Sequence, residues 1–243
     1  MIEIWHSKKQ DAGESQGAYD DIYNNEGIHQ LDSFYLWLLS LLNPYPGRRL
    51  LDVSCGQGAL VNFARRAGVT AYGLDFSSAA IRRAHMDVGA ACFVVGDGAH
   101  LAFPDESFDY VMCIGSLEHF IDPLAGMREI CRVLHKNGSA CILLPNTFSI
   151  LGNVHYACKC GDVFDDGQPI QRYNTHLGWK HMLAQSGLSV DRVIKYELPW
   201  PRTHTDWWWY LRRPRKIIHL LVGLAIPLNL ANCFVFLCSR MTK

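Results

Sequence analysis

The chain of 243 residues lacks an excess of charge of either sign, an apolar segment at its start, and any internal repeat or low-complexity tract. It carries 23 basic and 23 acidic residues, so no global electrostatic field would attract nucleic acid. Because charged residues follow soon after Met1–Trp5, no secretory signal segment is predicted. The nine cysteines lack the spacing of a secreted disulfide framework, which predicts reduced thiols in a cytoplasmic protein.

Metal-binding motifs are lacking as well. His155, Cys158, Cys160 and Asp162 are residue types that bind metals, but no second pair follows at zinc spacing. A loop with free thiols is the favoured interpretation, and no metal is predicted. The chain is nevertheless long enough for one large α/β domain with a well-buried core.

A glycine turn follows the apolar, strand-like segment that ends near Asp52. Gly56 and Gly58 precede a predicted helix; glycines allow a ligand to approach the backbone, and the helix directs unpaired N–H groups toward it. A nucleotide-like cofactor is the predicted ligand. The dinucleotide fingerprint needs a third glycine where this chain has Val61, which disfavours NAD.

Acidic residues also follow the next two predicted strands. Asp75 ends the apolar stretch 70–74, where a carboxylate can accept hydrogen bonds from both hydroxyls of a ribose. Asp97 follows the stretch Ala91–Val95, and a turn then leads into the strand Tyr110–Ile114. Three acidic residues after three successive strands, the first with a glycine turn, form a more specific signal than any one of them.

With these motifs the chain resembles the class I S-adenosylmethionine-dependent methyltransferases, including the ubiquinone-biosynthesis-like (type 11) enzymes, most strongly over residues 48–145. The resemblance implies a Rossmann-like α/β fold with a seven-stranded, mostly parallel sheet, helices on both faces and an antiparallel last strand. It also implies S-adenosylmethionine as the cofactor. The cofactor-binding residues that it implies are Asp52, Ser54, Gly56, Gly58, Asp75, Phe76, Asp97, Gly98 and Ser116.

Within this set, the resemblance assigns each part of the cofactor to a motif. The loop 52–58 would hold the methionine part, Asp75 would bind the ribose hydroxyls, and Asp97 would accept from the adenine amino group. Ser54 departs from the family, which more often has glycine there, although a small residue still fits.

The segment Ser116–His119 matches the family segment that faces the transferable methyl group. His119 is the predicted catalytic base, because an acceptor that carries a proton usually needs a base and histidine titrates near neutrality. The alternative is that His119 only packs against cofactor or substrate. Glu118, in the same segment, is interpreted as a structural or cofactor-side acceptor near the substrate.

Aromatic and histidine side chains outside the core motifs are further substrate candidates. Residues 1–47 are predicted as an N-terminal helical lid from which Tyr19 and Tyr23 would close over the site, with plain surface packing as the alternative. Tyr173 and His176 precede a predicted helix, and His176 is a candidate for the acceptor pocket.

Strands and helices alternate through the methyltransferase core, assigned to residues 48–243, as a parallel sheet requires. Helices are predicted near 58–68, 77–87 and 123–135, with Ser77 or Ser78 capping the second and Asp122-Pro123 starting the third. The alternation lapses after Asn146, so 147–175 is predicted as an insertion or loop. The remaining predictions are a helix over Leu177–Gln185, a strand over Leu188–Tyr196 and a last strand over Cys233–Cys238.

An aromatic and basic excursion, residues 199–232, separates the last two predicted strands. Three adjacent tryptophans, 207–209, and the basic residues Arg212, Arg213, Arg215 and Lys216 precede the apolar run 217–230, which is too short to span a bilayer. A lid or dimer surface packed on the core is the favoured interpretation. Aromatic residues beside basic ones also suit peripheral contact with a membrane, so that alternative stays open.

The predicted function is methyl transfer from S-adenosylmethionine to a small-molecule or lipid-like acceptor at oxygen, nitrogen or carbon. An in-line displacement of this kind needs alignment and exclusion of water but no covalent enzyme intermediate. The rival from another class is a non-catalytic cofactor-binding protein that acts through a partner. The cofactor motifs do not identify the acceptor.

Overall fold

Seven strands form the central sheet of the protein. The computed structural model describes residues 1–6, 12–25, 27–89 and 92–241. The strands of these residues are β1 (Ile2–Trp5), β2 (Arg49–Val53), β3 (Thr70–Asp75), β4 (Phe93–Val95), β5 (Phe108–Ile114), β6 (Leu134–Pro145), β7 (Ile170–Tyr173), β8 (Leu188–Tyr196) and β9 (Cys233–Arg240). The central sheet has the order β4–β3–β2–β5–β6–β9–β8, in which β9 runs antiparallel to both neighbours and the other pairings are parallel. The predicted sheet is confirmed.

Helices pack on both faces of this sheet. The α-helices of the described residues are α1 (Ala12–Asn24), α2 (Asp32–Leu42), α3 (Ala59–Arg66), α4 (Ser78–Val88), α5 (Pro123–Val133), α6 (His155–Cys160), α7 (His176–Gln185), α8 (His204–Leu211) and α9 (Pro214–Ala225). Successive strand residues point to opposite faces, so Leu50 joins the core cluster that contains Leu38 of α2, whereas Leu51 joins the cluster that contains Met127 of α5. Burial on both faces explains why β2 has two consecutive leucines instead of an alternating pattern.

The helix starts of the core follow the predicted capping residues. Ser77, the first of the two serines proposed, accepts a hydrogen bond from the backbone N–H of Ala80 at 3.1 Å and caps α4. Asp122 caps α5 in the same way through the N–H of Ala125, and Pro123 occupies the first turn. The third core strand begins at Phe93, and Ala91, predicted as its first residue, lies outside the described residues.

The segment 147–175 is more ordered than the predicted loop. It contains a π-helical turn (Ile150–Val154), helix α6 and strand β7, which pairs antiparallel with β1 in a separate two-stranded sheet. The buried Arg172 fixes this sheet, because its guanidinium donates to the Glu3 carboxylate at 2.9 Å and to backbone carbonyls of Glu118, Phe120 and Ile121. A four-residue strand whose partner lies near the start of the chain has no local pattern, which is why the loop alternative was wrong here. The other alternative, an insertion, stays a prediction.

Helix α1 is attached to the core through Asp20. This carboxylate accepts hydrogen bonds from the Ser77 and Ser78 hydroxyls and from the backbone N–H of Ala79 at 3.0 Å. It therefore adds an acceptor to the start of α4, where N–H groups lack helical partners. These contacts support the prediction of a lid in residues 1–47, which stays a prediction.

The excursion 199–232 folds into the two helices α8 and α9. Asp206 of α8 is buried and accepts from the backbone N–H of Ser33 at 2.7 Å and from its hydroxyl, which fastens α8 to α2. Lys195 of β8 donates to three carbonyls at the end of α9, those of Gly223, Leu224 and Ile226. Within the described part of the chain, no helix is both long enough and apolar enough to cross a membrane.

Candidate functional site

A cavity of about 360 Å³ opens at the carboxyl edge of the sheet, where the parallel strands end. Ser54, Asp75, Asp97 and Gly115 line it, and they lie just at or beyond the ends of β2, β3, β4 and β5. Its other lining residues are Ser15, Tyr19, Tyr23, Ile28, Phe76, Gly98, Ala99, His100, Ser116, His119, Phe120, Ile121, Asp122, Gln168 and Pro169. The carboxyl edge of an open α/β sheet is where such folds bind ligands.

The glycine loop after β2 has the backbone conformation that its sequence predicts. Gly56 and Gly58 have φ angles of 53° and 78°, in the left-handed region that favours glycine. A Cβ on Gly56 would lie 2.8 Å from the Tyr23 hydroxyl. Ser54 also lies in this region, with φ of 64°, so the residue that replaces the family glycine keeps a glycine-like conformation. The loop is thus shaped for close approach of α1 and of a ligand.

Asp75 is buried at the end of β3 and organises the loop beside it. One carboxylate oxygen accepts from the backbone N–H of Gly56 and the other from that of Ser77, both at 2.8 Å. Burial raises the pKa of Asp75 to about 6, and these two N–H donors oppose the rise. The group is therefore mostly ionised at neutral pH and keeps lone pairs for hydroxyl donors in the cavity.

Asp97 and Gly98 form another wall of the cavity, in which Asp97 is exposed and Gly98 is buried. Asp97 accepts from the backbone N–H of Ala99 and from Nδ1 of His100, each at 2.8 Å. The hydrogen bond to Asp97 raises the pKa of His100 above its ordinary value. A Cβ on Gly98 would lie 2.4 Å from the Phe120 ring, so glycine is required for this ring to pack beside the cavity.

His119 has the tautomer that a base requires. Its Nδ1 lies 2.6 Å from the Ile170 carbonyl oxygen, which can only accept, so Nδ1 carries the proton and Nε2 has a free lone pair. Burial lowers the pKa of His119, and the Ile170 carbonyl opposes this shift. The imidazole is therefore neutral at pH 7, in a cavity that it lines.

Glu118 is buried beside His119 but does not line the cavity. Its Oε1 lies 3.9 Å from Nε2 of His119, and its buried Oε2 has no hydrogen-bond partner among the described residues. Burial raises the pKa of Glu118 to about 8. The carboxyl group is therefore largely protonated at neutral pH. A protonated carboxyl group cannot act as a general base, so Glu118 is a neutral polar neighbour of His119.

Tyr19 and Tyr23 bring helix α1 to the cavity. Both line it, as predicted for a lid, and the buried Tyr19 hydroxyl has no partner among the described residues. Burial raises the pKa of Tyr19, with Glu118 and Asp75 among the charges that add to the rise. An unpartnered buried hydroxyl near two carboxyl groups indicates space for a polar ligand in this part of the cavity.

Several predicted site residues lie outside the lining of the cavity. Asp52 is buried inside β2, where burial raises its pKa well above the ordinary value and the Asp75 charge adds to the rise. The Tyr173 hydroxyl donates to the Phe164 carbonyl at 2.8 Å. His176 begins α7 with its ring 5.7 Å from that of Phe234. Gly56 and Gly58 shape the loop without lining the cavity, and direct ligand contacts by these five residues stay predictions.

Some residues that line the cavity were missed by sequence reasoning. Phe120 and Ile121 directly follow His119, so extending the interpreted segment by two residues would have found them. Gln168 and Pro169 come from the segment interpreted as a loop, and their position depends on the pairing of β7 with β1. None of the described lining residues comes from 199–232, and the predicted lid role of this excursion stays a prediction.

The chain is similar to known methyltransferases in sequence. The methyltransferase domain family matches residues 51–142. The ubiquinone biosynthesis O-methyltransferase of Paracidovorax citrulli is 30% identical over 117 residues, which are 46% of this chain and 49% of the relative. An uncharacterized methyltransferase of Synechocystis is 30% identical over 186 residues, which are 72% of this chain and 80% of the relative. The chain spans about half the length of the first of these relatives.

The fold is also similar to solved structures. An S-adenosylmethionine dependent methyltransferase from Mesorhizobium loti superposes with a TM-score of 0.63 at 16% identity, over 90% of this chain and 100% of that chain. At this identity the likeness concerns the fold. It supports the Rossmann-like α/β architecture read from the strand order.

Proposed function

Because the chain belongs to the S-adenosylmethionine-dependent methyltransferase family, we propose that it methylates a small-molecule acceptor and that His119 removes the acceptor's proton. The observation that carries this proposal is a single cavity lined by Asp75, Asp97 and His119. Two carboxylates for the cofactor and a neutral imidazole for the acceptor thus share one space. S-adenosylmethionine, when bound, supplies a methyl group on a positively charged sulfur.

The residues of the cavity fit this cofactor. Asp75 and Asp97 stand at the ends of adjacent strands, as the ribose and the adenine amino group require, and the Tyr19 hydroxyl is an unused donor. We propose that Asp75 binds the ribose hydroxyls and Asp97 the adenine, with Phe76, Gly98 and Ser116 beside them. The remaining proposed cofactor contacts are Asp52 of β2 and Ser54, Gly56 and Gly58 of the glycine loop that follows it.

His119 would act on the acceptor by accepting a proton at Nε2. Its Nδ1–H is held by the Ile170 carbonyl, so the ring orientation is set before the acceptor binds. The carbonyl partner also stabilises the imidazolium that proton transfer forms. Alignment of the acceptor and exclusion of water by the surrounding walls, including Tyr19 and Tyr23, would supply the rest of the catalysis.

The chemistry of the acceptor is proposed from the relatives. One relative is named for ubiquinone biosynthesis and O-methylation, and a small-molecule or lipid-like acceptor with an ionisable group suits a base such as His119. A homodimer and peripheral membrane contact are further proposals. A cytoplasmic location is supported by the nine cysteines, all of which are free.

One experiment tests the proposed activity. The protein is incubated with methyl-labelled S-adenosylmethionine and a cell extract, which is then separated into lipid, small-molecule and protein fractions. We expect label in the lipid or small-molecule fraction. Cofactor binding without label in any fraction would favour the rival, non-catalytic function, and micromolar NAD binding would contradict the assignment of the cofactor site.

We expect Asp75→Ala to weaken S-adenosylmethionine binding by ~1.5–3 kcal/mol, because two hydroxyls lose a charged acceptor. Isothermal titration calorimetry measures this change. The matched control is Asp109→Ala, since the Asp109 carboxylate also accepts from a backbone N–H, that of Arg49 at 2.9 Å, but at the opposite edge of the sheet. Unchanged affinity in folded Asp75→Ala protein would remove Asp75 from the site.

A further inference from the structure

Helix α9 presents apolar side chains on the face turned away from the protein. Leu220 and Gly223 are buried, whereas Ile218 and Leu221 are 60% and 54% exposed. With Val222 and Ala225, both exposed, Ile218 and Leu221 have the i, i+3, i+4, i+7 spacing that normally marks the buried stripe of an amphipathic helix. Here that stripe faces solvent, so α9 is apolar on two opposite sides.

Helix α8 repeats this arrangement with larger side chains. Tyr210 and Asp206 are buried against the protein. On the other side of the helix, Trp207 and Trp208 are 52% and 63% exposed, and Leu211 is exposed one turn further on. Two successive helices thus leave large apolar groups uncovered, whereas proteins that stay monomeric in water seldom expose a contiguous apolar patch of large area.

Positive charge lies next to these apolar stripes. Four basic residues, Arg212, Arg213, Arg215 and Lys216, occupy five positions around the turn between the helices, and no acidic residue follows Asp206 in the sequence. A shallow depression of about 560 Å³ is lined by Thr205, Trp208, Trp209, Arg212 and Arg213. The Arg213 guanidinium lies 4.5 Å from the centre of the Trp209 ring. The depression combines guanidinium donors with aromatic walls, which suits an anionic group.

We propose that α8, α9 and the turn between them dock onto the surface of an anionic lipid bilayer. Trp207, Trp208 and the α9 stripe would enter the boundary between headgroups and acyl chains, while the basic turn contacts lipid phosphates. A second copy of the chain fits this surface poorly. The acidic residue of this helical hairpin (α8, the turn and α9) is Asp206, which is buried and bound to Ser33. A two-fold contact would therefore place two sets of four cations together without an exposed carboxylate of the hairpin to neutralise them.

The helical hairpin lies at the same edge of the sheet as the cavity. The hairpin leaves β8 after Tyr196 and returns to β9 before Cys233, and these two residues pair with each other at the end where β6 finishes. That end is the carboxyl edge of the sheet, where the cavity also opens. Docking would bring this edge toward the bilayer. The inference goes beyond methyl transfer and does not rest on it, since vesicle binding requires neither cofactor nor acceptor.

Sedimentation of the full chain with lipid vesicles tests the proposal. We expect the protein to pellet with vesicles of equal parts phosphatidylcholine and phosphatidylglycerol at low salt, less so at high salt, and weakly with phosphatidylcholine alone. The variant Trp207→Gln/Trp208→Gln should lower the bound fraction at least ~10-fold. The variant Arg212→Gln/Arg215→Gln/Lys216→Gln should lose the preference for anionic vesicles. We expect its affinity for these vesicles to fall about fivefold for each charge removed.

Two control variants match these changes elsewhere on the surface. Tyr45→Gln removes an exposed aromatic residue from the loop before β2, at the other edge of the sheet, and Arg128→Gln/Lys136→Gln/Lys180→Gln removes three exposed cations. Both should bind vesicles like the wild type, and thermal melts will show that all variants are folded. Wild-type protein that stays in the supernatant with anionic vesicles would overturn the proposal. The proposal would also be overturned if sedimentation equilibrium showed a dimer of the wild type and a monomer of the Trp207→Gln/Trp208→Gln variant.

Discussion

Replacing His119 with alanine is expected to lower the rate of methyl transfer by ~10²–10⁴-fold while leaving S-adenosylmethionine affinity nearly unchanged. The imidazole lines the cavity with Nε2 unprotonated, because Nδ1 donates to the Ile170 carbonyl. The rate is measured as transfer of label into the accepting fraction, and the affinity by calorimetry.

The pH dependence of the rate should identify the group. Since burial lowers the pKa of His119, the wild-type rate should fall only as the pH drops below the usual histidine range, when Nε2 becomes protonated. The His119→Ala variant should lack this acidic limb. His100→Ala is the matched control, because His100 also lines the cavity but is exposed and bound to Asp97. A loss confined to apparent acceptor affinity would show a positioning role instead.

Replacing Glu118 with glutamine is expected to make the folded protein less sensitive to rising pH. Burial raises the folded-state pKa of Glu118 from 4.5 to about 8. Between these values the unfolded chain loses a proton that the folded protein retains, so the free energy of unfolding falls by up to ~1.4 kcal/mol per pH unit. Below pH 4.5 both states are protonated, and above about 8 both are ionised, so the slope due to Glu118 vanishes outside this window.

Urea unfolding at a series of pH values measures this effect as the difference between variant and wild type. That difference should grow in favour of Glu118→Gln from pH 5 to pH 8. Glu129→Gln is the control of opposite sign, because the Arg132 hydrogen bond lowers the pKa of Glu129. Its stabilising ionisation is complete above the ordinary pKa, so its difference from wild type should stay constant over the same window. A constant difference for Glu118→Gln would contradict its burial in the protonated form.

The core of the fold was predictable because its signals are local. The first strands of the sheet contain apolar runs, the acidic residues Asp75 and Asp97 end or follow such runs, and Ser77 caps the next helix. Even the bounds of β8, Leu188–Tyr196, agree with the predicted strand. These features depend on a few neighbouring residues, and packing on both faces of the sheet reinforces them instead of overriding them.

The parts that the sequence did not reveal depend on contacts between distant segments. Nothing near Ile170 indicates that its carbonyl orients His119, or that Gln168 reaches the cavity. The aromatic and basic character of the α8–α9 hairpin is evident from the sequence. The side of α9 that faces water depends on its contacts with β8, such as those of Lys195, and has no local signal. His176 was predicted to enter the acceptor pocket because it precedes a helix; its ring lies 5.7 Å from that of Phe234, and its contact with an acceptor stays a prediction.

The clamp that Arg172 forms with Glu3 has a consequence for the order in which the site assembles. The two residues are 169 positions apart, whereas the glycine loop, Asp75 and Asp97 all lie within residues 54–97. Closing the longer loop costs more chain entropy, so we expect β1 and β7 to pair after β2–β4 have formed. Pulsed hydrogen exchange during refolding would then show late protection of β1, and early protection would contradict it. A newly made chain would acquire the proposed cofactor-facing wall first and orient His119, the proposed proton acceptor, last.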